Sequence, residues 1–300
     1  MTKVSIKSFT EKCRELQGKF RESIGEEMGV GPFKTSTTKY TNMISDGENS
    51  GKNFVDEYTF NYAKMRVALK QKNETIEEFR LFNNLLSSQP MAFNLFCPLK
   101  QMLENGQEDV ITKIITAVFP DMNIARVTEI GLEFLHTDVE NYLNDKTAMD
   151  AIIRFVDSEN RPCFIAIEIK YTDTLGTNSA REKGTQKKFI EELKFFSLET
   201  EEALINNRKE ISQIYRNFLL SECYRIKEGV HESYSIILSP ENHPTTKTEL
   251  LSLKEELLPE YQYKINSISL EQFVETIIEN CPEDKSQPFI YFKNRYLNGI

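Results

Sequence analysis

The 300-residue chain has little glycine (12) and little proline (10), which excludes a collagenous or low-complexity protein. Its five cysteines, Cys13, Cys97, Cys163, Cys223 and Cys281, are widely separated and form no CxxC pair. That leaves neither a disulfide framework nor a zinc spacing. The three histidines, His136, His231 and His243, are too scattered for a His-rich metal site. The first residues, MTKVSIKSFTEKCRELQGKF, hold no apolar stretch of the kind a signal peptide needs. No apolar run approaches the ~20 residues that span a bilayer. An excess of positive charge is also lacking, since 46 acids face 37 bases for a formal net charge of −9. A protein basic over its whole surface is thereby excluded, but a basic groove on an acidic body is not. Together with unpaired thiols, these absences set the expectation of a soluble, cytoplasmic protein with no membrane partner.

What is present suffices for a core. Hydrophobic residues make up 39%, with 20 Phe and 12 Tyr, so the chain is not disordered. At this length a compact protein has a radius of gyration of roughly 19 Å and buries about 75% of its unfolded surface.

Along the chain, Phe9, Cys13, Leu16, Phe20 and Ile24 recur at helical spacing within 5–28. Residues 33–53 are rich in Ser, Thr, Asn and Gly and read as a linker. Helical pattern resumes over 55–104, broken at Ser87-Ser88-Gln89-Pro90, where Ser88 is a good N-cap. A short helix over 107–118 follows. Three strand-like segments, 124–135, 147–156 and 162–171, are rich in Ile, Val and Phe. Asp157-Ser158-Glu159-Asn160-Arg161 reads as a hairpin loop between the last two. Helix returns over 186–225 in two pieces, then a strand at 233–240, then helices near 246–257, 270–280 and 287–297. This order predicts an α/β (α+β) fold with a mixed-sheet core. The expected organisation is an N-terminal helix and flexible linker (1–54), a helical segment leading into the core (55–104), the core (105–240) and a C-terminal helical extension (241–300).

The chemistry concentrates at Asp150 and Glu168-Ile169-Lys170. The acid-x-Lys pattern also occurs at Glu192 and Glu283, but only Glu168 and Lys170 interrupt an apolar strand. Side chains alternate faces along a strand, so Ala166, Glu168 and Lys170 share one face. On the preceding strand Asp150, Ile152 and Arg154 share a face, with Met149, Ala151, Ile153 and Phe155 opposite. Pairing Phe155 with Cys163 across the loop puts Asp150 directly opposite Glu168. Directly opposed like charges destabilise a sheet, and a divalent cation removes the penalty. Mg²⁺ takes oxygen ligands, often one or two carboxylates with water and substrate phosphate. Lys170, one step along that face, can order or deprotonate an attacking water. Such a set suits phosphodiester hydrolysis.

Asp150, the short loop and Glu168-Ile169-Lys170 resemble the motif of the PD-(D/E)XK nuclease superfamily, with Met149 in place of the motif's proline. The expected order also resembles that superfamily's restriction-endonuclease-like core: helix, three strands, helix, strand. More narrowly, the chain is similar to a restriction-endonuclease family over roughly 85–240. The similar pieces are Leu86–Pro90 with Phe93–Phe96, Thr147–Asp150, Glu168–Asp173 and Gln213–Leu220. The resemblance implies Mg²⁺-dependent DNA cleavage, with Mn²⁺ as a substitute, leaving 5′-phosphate ends, in defence against foreign DNA. Asp150 and Glu168 would hold the metal and Lys170 would position the water. Two alternatives stay open. One is a non-catalytic nucleic-acid-binding or assembly module with this fold. The other is a nuclease acting inside a larger complex or as a homo-oligomer.

Secondary candidates surround this motif, each with a structural alternative. Glu133 on the first strand could add a third metal ligand, or be a solvated strand-end acid. Gln89 could reach the site from the upstream helix, or simply start that helix. Gln213 and Arg216 lie on one helix face, opposite Ile211, Ile214, Tyr215 and Phe218, and could meet the scissile strand. The segment 181–188 carries Arg181, Lys183, Lys187 and Lys188 against one acid. It follows the motif strand and is a candidate DNA contact.

Overall fold

The computed structural model describes residues 8–71, 74–134, 139–144, 146, 148–175 and 183–300, with the backbone alone at 183. In chain order the elements are α1 (Phe9–Ser23), β1 (Met28–Val30), β2 (Lys39–Ile44), α2 (Gly47–Ser50), α3 (Glu57–Ala68), α4 (Glu78–Asn83), α5 (Ser88–Glu104) and α6 (Glu108–Val118). Then come β3 (Arg126–Phe134), β4 (Met149–Val156), β5 (Pro162–Ile169), α7 (Lys183–Leu193), α8 (Leu198–Ile205), α9 (Gln213–Lys227) and β6 (Glu232–Ser239). The chain ends with α10 (Thr246–Glu256), β7 (Ile265–Ser269), α11 (Leu270–Asn280) and α12 (Gln287–Tyr296). The expected order of helix, three strands, helix and strand is present.

The main sheet has strand order β3-β4-β5-β6-β7. The first two pairings are antiparallel and the last two parallel. β5 is central, and its run Phe164–Ile167 is buried on both faces, as expected for a strand covered by helices on each side. One face, carrying Ala151, Ile153, Ile165, Ile167 and Leu238, packs into the larger apolar cluster with α5, α6, α11 and α12. The other face, carrying Ile152, Phe164, Ala166 and Ile237, packs beneath α9.

The hairpin between β4 and β5 closes as the spacing predicts. Asp157 N–H donates to Arg161 O at 3.1 Å, Asn160 takes a left-handed φ of 59°, and Asp157 pairs with Arg161 at 2.7 Å. Asn tolerates that backbone because its short side chain bonds locally. The register then runs from Phe155 opposite Cys163 to Ala151 opposite Ile167. Continuing it by one residue sets Asp150 opposite Glu168.

Several expectations change. The segment 33–53 carries β2, which pairs with β1, and α2; Met43 and Ile44 are buried there. The helical stretch over 186–225 divides into α7, α8 and α9, because Ser197 caps a new helix through the Thr200 N–H. Ser87, not Ser88, is the N-cap of α5, accepting from the Gln89 N–H. Met149 joins the cluster under α9 rather than the opposite face. It lies at the end of β4, beyond the last residue that pairs with β5. β7 was not foreseen. Three of the five residues in its sequence, INSIS, are polar, and its strand state comes from pairing with β6.

Candidate active site

At one end of the central strands a cleft of about 600 Å³ opens. Glu133, Asp150, Glu168 and Lys170 line it from the strand side, Gln89 from the start of α5, and Gln213 and Arg216 from α9. The structure therefore brings Gln89, Glu133, Asp150, Glu168, Lys170, Gln213 and Arg216 together.

Three carboxylates form a row. Leu132 faces Ala151 and Phe134 faces Met149 across β3 and β4, so Glu133 lies opposite Asp150. Continued one residue past its last pair, Ala151 with Ile167, the β4–β5 register sets Glu168 opposite Asp150 in turn. The Asp150 carboxylate reaches across to accept the Ile169 N–H at 2.7 Å. Beside it the Lys170 ammonium is 2.7 Å from a Glu168 oxygen and donates to Gln213 Oε1 at 3.1 Å. Gln213 Nε2 donates to the same Glu168 oxygen at 2.8 Å, closing a three-residue ring. The Lys170 backbone N–H is held by Leu238 O at 2.8 Å.

Glu133 sits in a left-handed backbone conformation, φ 49°, which costs roughly 1–2 kcal/mol outside glycine. Its surroundings hold it there. Arg66 donates to the Glu133 carbonyl at 2.9 Å, and Gln89 Nε2 donates to Glu133 Oε1 at 2.8 Å.

Charge follows from this geometry. Burial pushes the Asp150 carboxyl well above its ordinary pKa, and the negative charges of Glu168 and Glu133 push the same way. Glu133 is raised by burial and by Glu168, against the Gln89 hydrogen bond. Burial by itself would lower Lys170, but Glu168 and Asp150 outweigh it and its pKa is raised.

A hard cation fits this donor set, because among the described residues no His or Cys lines the cleft and the buried acids are held in mutual repulsion. Among the described residues no three such side chains enclose a metal position. Mg²⁺ does not need an enclosing cage, since one or two carboxylates with water and phosphate complete its shell.

A family model of the PD-(D/E)XK nuclease superfamily matches residues 5–298. The chain belongs to the PD-(D/E)XK nuclease superfamily. No curated protein and no solved structure gives a significant match. The five-stranded mixed sheet with its helices is consistent with the restriction-endonuclease-like fold of that superfamily. Asp150 on β4 and the acid-x-Lys pair Glu168 and Lys170 at the end of β5 are the residues that resemble that superfamily's motif.

The basic segment is placed differently from the motif. Lys187 and Lys188 lie on α7, outside the cleft lining. Lys187 bonds Asn207 at 2.7 Å, and Lys188 stands 3.7 Å from Glu192. Arg181 and the Lys183 side chain lie outside the described residues. Sequence reasoning missed Arg80, Lys146 and Asp173, which also line the cleft. Asp173 and Lys146 lie within four residues of motif positions, a signal that was available. Arg80 lies far from the motif in sequence and carries no such signal.

Proposed function

We propose that this protein is a metal-dependent deoxyribonuclease that hydrolyses phosphodiester bonds within DNA. The observation that carries the reading is the row Glu133, Asp150 and Glu168 with Lys170 beside it, in one cleft. Asp150 and Glu168 would hold Mg²⁺ or Mn²⁺, and Glu133 stands beside Asp150 in the row. When bound, such a cation supplies Lewis-acid polarisation of the phosphate and offsets developing negative charge. Lys170 orders the attacking water through its ammonium hydrogens and stands next to the phosphate's charge. Gln213 keeps Lys170 and Glu168 oriented through its two amide atoms. Asp150 is fixed by the Ile169 N–H, so one oxygen is spoken for and the other is free to face the cleft. Water oxygen bonds to phosphorus as the bond to the 3′ oxygen breaks, leaving a 5′-phosphate and a 3′-hydroxyl. Arg216 faces the scissile strand, and Lys187 and Lys188 on α7 are an outer DNA contact. Cleavage of foreign DNA in a cytoplasmic defence system is the role the restriction-endonuclease resemblance supports.

The test is incubation with plasmid and linear DNA in Mg²⁺, Mn²⁺ or EDTA. Nicked or linear plasmid should appear with either metal and be absent with EDTA. No cleavage by wild type in any metal, across single- and double-stranded substrates, would remove the reading.

A further inference from the structure

We propose that Arg80 and Lys146 are the cleft's contacts for the backbone phosphates of a nucleic-acid strand on either side of the scissile bond. The inference rests on the nuclease reading and names the residues that let an acidic protein hold a polyanion.

Among the described residues the cleft lining balances its charges. Glu133, Asp150, Glu168 and Asp173 stand against Arg80, Lys146, Lys170 and Arg216. A net charge of −9 over the whole chain therefore does not describe the surface the substrate meets, and local field decides approach. Two of the four cations are committed. Lys170 is engaged by Glu168 and Gln213, and Arg216 is partnered as well. Arg80 and Lys146 are exposed, and neither charged head has a hydrogen bond or ion pair among the described residues. They are thus cations that line the cleft and whose charged heads have no partner among the described residues.

Arg80 is also held in place relative to the carboxylate row. Its backbone N–H donates to Glu77 Oε2 at 2.7 Å, which caps α4. The Glu77 N–H donates to Gln89 Oε1 at 3.3 Å, and Gln89 Nε2 donates to Glu133 Oε1 at 2.8 Å. Both ends of the buried Gln89 amide are used, so its orientation is fixed. This chain of three bonds ties the backbone that carries Arg80 to the acid across the site. A guanidinium there can grip a phosphate with two donors, and a lysine serves as a point charge. Lys146 approaches from the segment just before β4, close in sequence to Asp150. The two therefore come from separate stretches of chain, and both line the cleft that holds Asp150 and Glu168.

The experiment is a salt series of binding to a labelled oligonucleotide, duplex and single-stranded, in Ca²⁺ to suppress cleavage. Wild type is compared with Arg80→Gln, Lys146→Gln, the double variant, Arg80→Lys and a remote control, Lys293→Gln on α12. Each Gln variant should weaken binding several-fold at low salt. Each should flatten the slope of log K against log salt by about 0.9 on duplex or about 0.7 on single strand. The double variant should lose about twice that, while Arg80→Lys and Lys293→Gln should keep the wild-type slope. Slopes unchanged in all Gln variants, with wild type binding and cutting DNA in Mg²⁺, overturn this inference and leave the nuclease reading standing. Equal flattening by Lys293→Gln also overturns it, since the effect would then be one of total charge. Absence of both binding and cleavage in wild type overturns both. Should a Gln variant fail to fold, Arg80→Glu and Lys146→Glu read through the same slope decide the matter.

Discussion

The carboxylate of Asp150 accepts the backbone N–H of Ile169 at 2.7 Å, crossing from β4 to β5 between Glu168 and Lys170. That one bond replaces a missing ladder bond where the two strands part, and it anchors a carboxylate in the middle of a row of acids.

Asp150→Asn and Asp150→Ala should therefore differ in stability while sharing a loss of cleavage. The amide keeps an acceptor for Ile169 and removes the charge, so in EDTA the Asn variant should melt at or above wild type. Alanine strands the N–H, which costs about 1–3 kcal/mol, and each kcal/mol moves the midpoint by about 2 °C in a chain of this size. The pH sign follows from the raised carboxyl of Asp150. Its ionised form opposes folding above the raised pKa, and the penalty fades as pH falls toward the ordinary carboxylate range. The Asn advantage should shrink in parallel. Thermal melts over a pH series in EDTA check this, and an Asn variant that melts below Ala would refute it.

Lys170 and Glu168 form a buried pair, their side chains 8% and 9% exposed. Lys170→Met should abolish cleavage and cost roughly 3–5 kcal/mol by leaving a carboxylate unpaired. Adding Glu168→Gln should return much of that stability without returning activity. A double-mutant cycle by denaturant melts reads the coupling, and additive losses would mean the pair is energetically independent.

Gln213→Ala removes the amide that donates to Glu168 and accepts from Lys170. Groups that orient ligands and donors typically contribute 10- to 100-fold. The expected outcome is a fall of about that size in kcat, with KM for DNA little changed. A rise in KM at constant kcat would point to substrate binding instead.

Divalent cation should raise the melting temperature of wild type, by mass action of about 2.7 kcal/mol at a hundredfold excess over Kd. The rise should be small in Asp150→Asn and in Glu168→Gln. Melts with Mg²⁺ and Mn²⁺ against EDTA measure it, and an equal shift in all three proteins would place the cation elsewhere.

Reversing Lys187 and Lys188 to Glu tests the outer basic segment. If it meets DNA, affinity should drop and the salt slope should flatten, with the metal-dependent melting shift unaffected. Affinity and slope identical to wild type would make Lys187 and Lys188 a solvated face, consistent with their bonds to Asn207 and Glu192.

The sequence determined the strand pair that carries Asp150, Glu168 and Lys170. Two features sufficed: the alternation of faces in a strand, and a loop of Asp157–Arg161 whose length fixes register. A slip of one residue would have turned the acids to opposite faces. Gln213 and Arg216 were legible too, because helical spacing set them opposite the apolar residues that bury α9. Tertiary structure decided the rest. Glu133 joins the row only because Arg66 and Gln89, from α3 and α5, hold a backbone conformation that its own residue type disfavours. β7 exists because β6 offers it an unpaired edge. Arg80 reaches the cleft through α4, whose cap is tied to Gln89 by bonds between segments with no shared pattern. Local periodicity records which way a side chain faces along its own element. It does not record which distant element that face will meet, and long-range packing supplies that.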